Sequence, residues 1–278
     1  MVTKGLASEH TSVFQETSES SAAAGSPVKP GTLFTADSGK AVYRERFTPE
    51  TANLLYLSCG EFDLPPRTES RSWCFPGEES LLFMWQGRAD ILLGDRAFDL
   101  MPYDTLYVPR DASFRLLNRT SAPARLVHCS APAKDAHPAF HSQFREFSRQ
   151  ESRIRHLKGK DVYMMFDVSE SADKLVAGYT FFQPHQRSWP PHNHTDQEEV
   201  YFFIKGSGSM EVYDSPESLS FVHSVREGDA VTIPFLNYHP VFSQTSPLEF
   251  IWCIAGERYW VGDKKKEFMS GTAEAITT

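Results

Sequence analysis

The chain has 278 residues, 40% of them hydrophobic and 13% aromatic, enough for one large or two ordinary packed domains. Its net charge of −8, with Lys264–Lys266 as the one tight basic run, argues against a nucleic-acid backbone as partner. No apolar stretch approaches a membrane span and the MVTKGLASEH start lacks an apolar signal core; the four scattered cysteines (Cys59, Cys74, Cys129, Cys253) read as reduced thiols of a cytoplasmic protein.

In chain order, residues 1–40 form an expected flexible segment, because the first thirty are rich in Ser, Ala, Thr and Glu and poor in aromatics. From 41 to 133 short β-type runs follow one another: NLLYLSCGEF, SLLFMWQG, ADILLG, DTLYVP and ARLVHCSA. Gly, Pro and Asp punctuate them at the spacing of an antiparallel sandwich or barrel. Over 134–160 Phe140, Phe144, Phe147 and Ile154 recur at three- to seven-residue spacing, which predicts a short amphipathic helix or a loop strapped across the barrels. From 161 to 263 the β-type runs return as VYMMFDV, LVAGYTFF, EEVYFFIKG, SMEVYD, DAVTIP and LEFIWCIAG, and 264–278 reads as a tail. The expectation is an all-β protein of two tandem antiparallel barrels of jelly-roll type, joined by the bridge.

The chemistry concentrates in the second half. Residues 190–206 read PPHNHTDQEEVYFFIKG, and residues 228–240 read GDAVTIPFLNYHP. Two imidazoles one residue apart, His192 and His194, would point the same way along a strand. A tight turn from Asn193 to Gln197 would then bring Glu199 back beside them, and His239 would complete the set from a later strand. Three nitrogens and one carboxylate suit a first-row divalent ion with positions left open for substrate or water. The rival reading is two turn histidines and one core histidine. The first half carries the same offsets without the ligands: Ser80 precedes Gly87 by seven, as Glu199 precedes Gly206. Asp104, Pro109 and Phe114 keep the spacing of Asp229, Pro234 and His239. The first barrel therefore reads as a copy that lost its metal, and His128 and Cys129 read as core.

The order HxH, four residues, Glu, six residues, Gly, then G-x5-P-x4-H resembles the cupin barrels. PPHNHTDQEEVYFF, NYHPV and FIWCIAGE resemble, more narrowly, the two-barrel cupins that include 5-deoxy-glucuronate isomerase and 5-keto-4-deoxyuronate isomerase. The resemblance is specific from about Leu175 to Glu257 and architectural before it. Leu236, standing where the broad pattern has Gly, is a departure. What the resemblance implies is a bicupin and an aldose–ketose isomerisation of a deoxy-uronate or related sugar acid. It also implies a divalent metal on His192, His194, Glu199 and His239: zinc first, or manganese, iron or nickel.

Isomerisation needs a polarised carbonyl and hydroxyl, a moving proton and a held carboxylate. Strand alternation from Glu199 turns Tyr201 and Phe203 into the lumen, and Glu198 and Val200 outward. Tyr201 is then the candidate acid, base or substrate ligand beside Glu199, against the alternative of an ordinary core tyrosine. Arg187, Arg258 and Gln183 are the candidate substrate-binding groups near the mouth, against the alternative of solvated loop residues. The expected partners are a small-molecule sugar acid and, as a default for cupins, a second copy of the chain, with no nucleic acid and no membrane. A ferrous dioxygenase on the same ligands and a non-catalytic sugar-binding bicupin are the competing functions.

Overall fold

Strands follow the β-type runs, with turns where Gly, Pro and Asp interrupt them. The computed structural model describes residues 13–14, 40–188, 191–215 and 217–259. The first strands are β1 (Val13–Phe14), β2 (Val42–Phe47), β3 (Ser58–Leu64), β4 (Thr68–Glu69), β5 (Glu78–Gln86), β6 (Ala89–Leu93), β7 (Arg96–Leu100), β8 (Thr105–Val108), β9 (Phe114–Asn118) and β10 (Ala124–Pro132). Next come β11 (Phe140–Ser142), β12 (Ile154–Leu157), β13 (Lys160–Phe166), β14 (Leu175–Phe182), β15 (Gln197–Lys205), β16 (Ser207–Ser215), β17 (Ser218–Arg226), β18 (Ala230–Ile233), β19 (Val241–Ser243) and β20 (Leu248–Gly256). Two four-residue helices, α1 (Pro49–Ala52) and α2 (Phe144–Phe147), are the α-helices among the described residues, and no helix there is long and apolar enough to cross a membrane.

Each half closes a large antiparallel sheet over a small one. In the first half the sheet β11-β8-β5-β10-β3-β2 faces β4-β9-β6-β7; in the second, β1-β18-β15-β20-β14-β13-β12 faces β17-β16-β19. The two are built in one register. Ser80 lies opposite Val108 and Ser130, and Glu199 lies opposite Ile233 and Ile254. Gly87 and Gly206, seven residues on, share φ values of +79° and +86°. A side chain on either would press within 2.5 Å of a backbone carbonyl, of Pro123 and Pro247 respectively, so both hairpins require glycine.

Three apolar layers result. One lines each lumen, and a third lies between the barrels, where Leu81, Phe83 and Trp85 of β5 meet Val200, Phe202 and Ile204 of β15. Strands buried on both faces explain why β5 and β15 read as near-continuous apolar runs. Glu198 and Val200 face outward from the lumen, as alternation expects, and that outward side is this middle layer. Glu198 accepts the backbone N–H groups of Leu55, Tyr56 and Leu57 at 2.6–2.8 Å. Its counterpart Glu79 accepts those of Asp173, Lys174 and Leu175 at 2.7–2.9 Å. Each barrel thus clamps a strand entrance of the other with one buried carboxylate, which resolves the backbone donors that burial would otherwise orphan.

The bridge is more strand-like than expected. Helix α2 carries the buried Phe147 at the middle layer, but β11 pairs with β8, and Ile154 opens β12, already part of the second sheet. Val13–Phe14, within the segment expected to be flexible, pairs with β18. The tail at 264–278 lies outside the described residues.

Candidate metal centre

Glu199 sits on β15 with its side chain in the second lumen. The histidines do not share a strand with it: His192 and His194 lie in the irregular segment before β15, and His239 in the irregular segment after β18. The expected HxH strand is therefore corrected to a pair of facing loops. Those loops hold each other by backbone bonds, Leu236 N–H to His194 O at 2.6 Å and His239 N–H to His192 O at 3.3 Å. Asn193, between the two imidazoles, points away and donates its amide to Leu236 O at 3.2 Å. Leu236 takes φ +68°, the left-handed conformation that suits the glycine it replaces. Alternation along an extended segment still puts both imidazoles on one side.

The ligand atoms of His192, His194 and His239 all lie within 4.8 Å of one another. Glu199 Oε2 stands 3.2 Å from Nε2 of both His194 and His239. The protons can be placed from the partners. His239 Nδ1 faces the carbonyl of Asn237 at 2.7 Å, and a carbonyl only accepts, so Nδ1 carries the hydrogen. Gln197 donates Nε2 to the carbonyls of Glu257 and Tyr259, which leaves Oε1 to accept from His194 Nδ1 at 3.1 Å. In the neutral rings, both Nε2 atoms then present lone pairs toward a carboxylate oxygen. Buried Nε2 of His239 makes no hydrogen bond at all. Acceptors converging on acceptors repel unless a cation lies among them, and this donor set fits a divalent ion. Burial pushes the Glu199 carboxyl up, but hydrogen bonds from the two facing imidazoles, formed when a proton rather than a metal lies between each Nε2 and Oε2, outweigh it and hold the group below the usual carboxylate range.

Beside this cluster the lumen is hollow. The cavity measures about 110 Å³, against the roughly 10–15 Å³ that one water needs. Tyr201, Phe250, Trp252 and Ile254 line it with His192, His194 and Glu199. Tyr201 is where alternation placed it, 7% exposed, its ring 5.8 Å from that of His239 and its hydroxyl without a hydrogen bond among the described residues. Burial, then the nearby Glu199 charge, pushes its phenol well above the ordinary range, so it remains a proton donor.

The three expected substrate-binding groups are elsewhere. Arg258 gives its guanidinium to the carbonyls of Leu175, Ala172 and Asp167 at 2.8–3.2 Å, which makes it a strut under the β14 entrance. Arg187 bonds Glu211 at 2.5 Å and the Tyr213 hydroxyl on β16. Gln183 is exposed, and its backbone rather than its side chain is engaged, by Gly159 and Ser243. None of the three lines the cavity. The cations that do are Lys160 and Arg155, on β13 and β12. Sequence reasoning passed over both, since neither lies near the histidine motif.

Comparison with known proteins identifies the family and the fold. The KduI/IolB family model matches residues 33–269. The chain belongs to the KduI/IolB family. A curated relative, the 4-deoxy-L-threo-5-hexosulose-uronate ketol-isomerase of Opitutus terrae, is 25% identical over 175 residues, 60% of this chain. The match spans 62% of that relative's length. Among solved structures, an IolB-like protein of Salmonella typhimurium superposes with TM-score 0.66 at 21% identity, covering 78% of this chain and 90% of the other. A variant of oxalate decarboxylase OxdC of Bacillus subtilis gives 0.65 at 16%, covering 81% and 75%. YlbA of Escherichia coli gives 0.63 at 13%, covering 83% and 89%. The fold is an all-β bicupin.

Proposed function

We propose that this KduI/IolB member is a metal-dependent aldose–ketose isomerase of a sugar acid, with a deoxy-uronate as substrate class. The observation that carries the reading is the convergence of two imidazole lone pairs and an ionised carboxylate in a hollow lumen, joined by His192. His192, His194, Glu199 and His239 would hold one divalent ion, zinc first, with manganese, iron or nickel as the alternatives. When bound, such an ion supplies Lewis-acid polarisation of the substrate carbonyl and its neighbouring hydroxyl. The protein's own groups do the rest. Asn237 and Gln197 fix the ring orientation of His239 and His194, so the lone pairs are aimed before substrate arrives. Tyr201, kept protonated, offers its hydroxyl as donor to a substrate oxygen that gains charge as the proton leaves the adjacent carbon. Phe250, Trp252 and Ile254 exclude bulk water from the reacting face.

The name of the Opitutus relative supports the substrate class, and the empty mid-lumen supports a small polar ligand. The test is metal analysis of the purified protein followed by anaerobic incubation with a panel of deoxy-uronates, reading aldose–ketose interconversion. One ion per chain with oxygen-independent turnover is expected. Turnover that requires oxygen, or a metal-loaded protein inert on the whole panel, overturns the reading.

A further inference from the structure

Lys160 breaks a rule of protein interiors. Its side chain is 92% buried by its 8% exposure, yet no carboxylate pairs with it among the described residues. The ammonium donates to Ser188 Oγ at 2.6 Å and stands 5.3 Å from the Phe182 ring centroid, with no other partner among the described residues. An ammonium has three donors, so two remain beyond the bond to Ser188, at the wall of the cavity that Lys160 lines with the metal-binding cluster. Burying a charge this way is unfavourable unless something completes it, and buried lysines are ordinarily paired. Among the described residues that line this lumen, the one carboxylate, Glu199, is turned to the imidazoles. Burial pushes the lysine down to about 8, low enough to be easily perturbed and still mostly charged at neutral pH.

A second cation adds to the same wall. Arg155 lies on β12, paired opposite Val162 of β13, and lines the cavity with a half-buried side chain. The first barrel supplies a control. Val162 faces Thr180 as Tyr43 faces Phe62, so Lys160 corresponds to Ala41, two residues before Tyr43. Ala41 packs against the filled apolar lumen of the first barrel. The basic residue accompanies the hollow, ligand-bearing lumen and is missing from the filled one.

We propose that Lys160, held by Ser188 and joined by Arg155 at the rim, is the anion-binding group of the cavity and takes the carboxylate of the sugar acid. The identity of the anion rests on the isomerase reading; the existence of an anion site does not. The lysine and the metal cluster then grip the two functional ends of one ligand, which sets the substrate's direction in the lumen. A neutral sugar would leave the buried ammonium unmatched and would be disfavoured for that reason.

The experiment is calorimetric titration of the metal-loaded protein with D-glucuronate and, separately, with D-glucose, for the wild type, Lys160→Met and Lys160→Arg. The wild type is expected to bind the acid about 10- to 100-fold more tightly than the neutral sugar, as a charge-assisted contact implies. Lys160→Met should keep one metal per chain and lose that preference, and Lys160→Arg should restore part of it. An unchanged preference in Lys160→Met, or no preference in the wild type, overturns the proposal. Failure of the isomerase reading is separate: Lys160-dependent acid binding without turnover would refute the reaction and leave the anion site standing. Turnover with an unchanged KM in Lys160→Met would do the reverse.

Discussion

The two barrels share a register and differ in what fills them. Where the second has Glu199 facing imidazoles, the first has Ser80, whose hydroxyl lies 3.1 Å from His128 Nε2. Where the second has His239, the first has Phe114, 1% exposed and packed against Phe62 and Phe75. Phe75 stacks on His128 at 4.1 Å, and Tyr43 bonds the other ring nitrogen at 3.0 Å. The second lumen keeps its centre open and lines it with a lone ammonium. One scaffold therefore supports two barrel interiors: one filled by apolar side chains, and one that keeps a cavity beside three imidazoles, a carboxylate and a buried ammonium.

The comparison is broken most severely by His239→Ala. Loss of one of three converging nitrogens should remove the ion from the second barrel, read by elemental analysis after gel filtration, with circular dichroism unchanged. Full metal content in that variant would mean the ligands are misassigned. Phe114→Ala, at the corresponding place in the first barrel, should do the opposite. It should leave metal content intact and lower unfolding free energy by about 3–5 kcal/mol in urea titration, because the hole opens in a packed aromatic cluster. Metal loss without loss of stability would contradict the division of labour.

Much of this contrast was legible in the sequence. The offsets from His192 to Gly206 and from Gly228 to His239 name the cluster, and their ghosts at Ser80, Gly87 and Phe114 name the filled barrel. Period-two alternation put Tyr201 in the lumen. What it could not give was the far wall. Lys160 lies in a GKDVY context that reads as a solvated turn, and its inward direction depends on pairing with β12 and β14 and on the irregularity between Met164 and Phe166 in β13. Arg187 and Arg258 were placed by proximity to the motif, but carbonyls and carboxylates brought in by distant strands engage them first. Alternation turns Glu198 outward from the lumen but gives no sign of the third layer that covers it there.

The buried basic groups sharpen the comparison through pH. His128 is pushed down to about 3 by burial, against about 6.5 in an unfolded chain. A depressed folded value means stability is fully present above pH 6.5 and is lost as pH falls toward 3. The loss attributable to this ring is on the order of 5 kcal/mol. His128→Gln should flatten the acid limb of a stability–pH curve between 6.5 and 3. An acid limb as steep as that of the wild type would remove His128 from the account.

Lys160 acts on the alkaline side. Its ammonium titrates at about 8 in the fold and about 10.5 when unfolded, so ligand-free stability is penalised throughout the range below 8. The penalty fades as pH rises from 8 to 10.5, where the unfolded chain still holds the proton that the folded chain has released. Lys160→Met should therefore stabilise the ligand-free protein by about 3 kcal/mol at pH 7, with the gain shrinking across that window. Glucuronate should narrow the gap at pH 7, since it stabilises only the protein that binds it. A methionine variant less stable than wild type at pH 7, or a gain that stays constant to pH 10.5, would show that the lysine is not held at a cost. The hollow barrel would then differ from the filled one in shape alone.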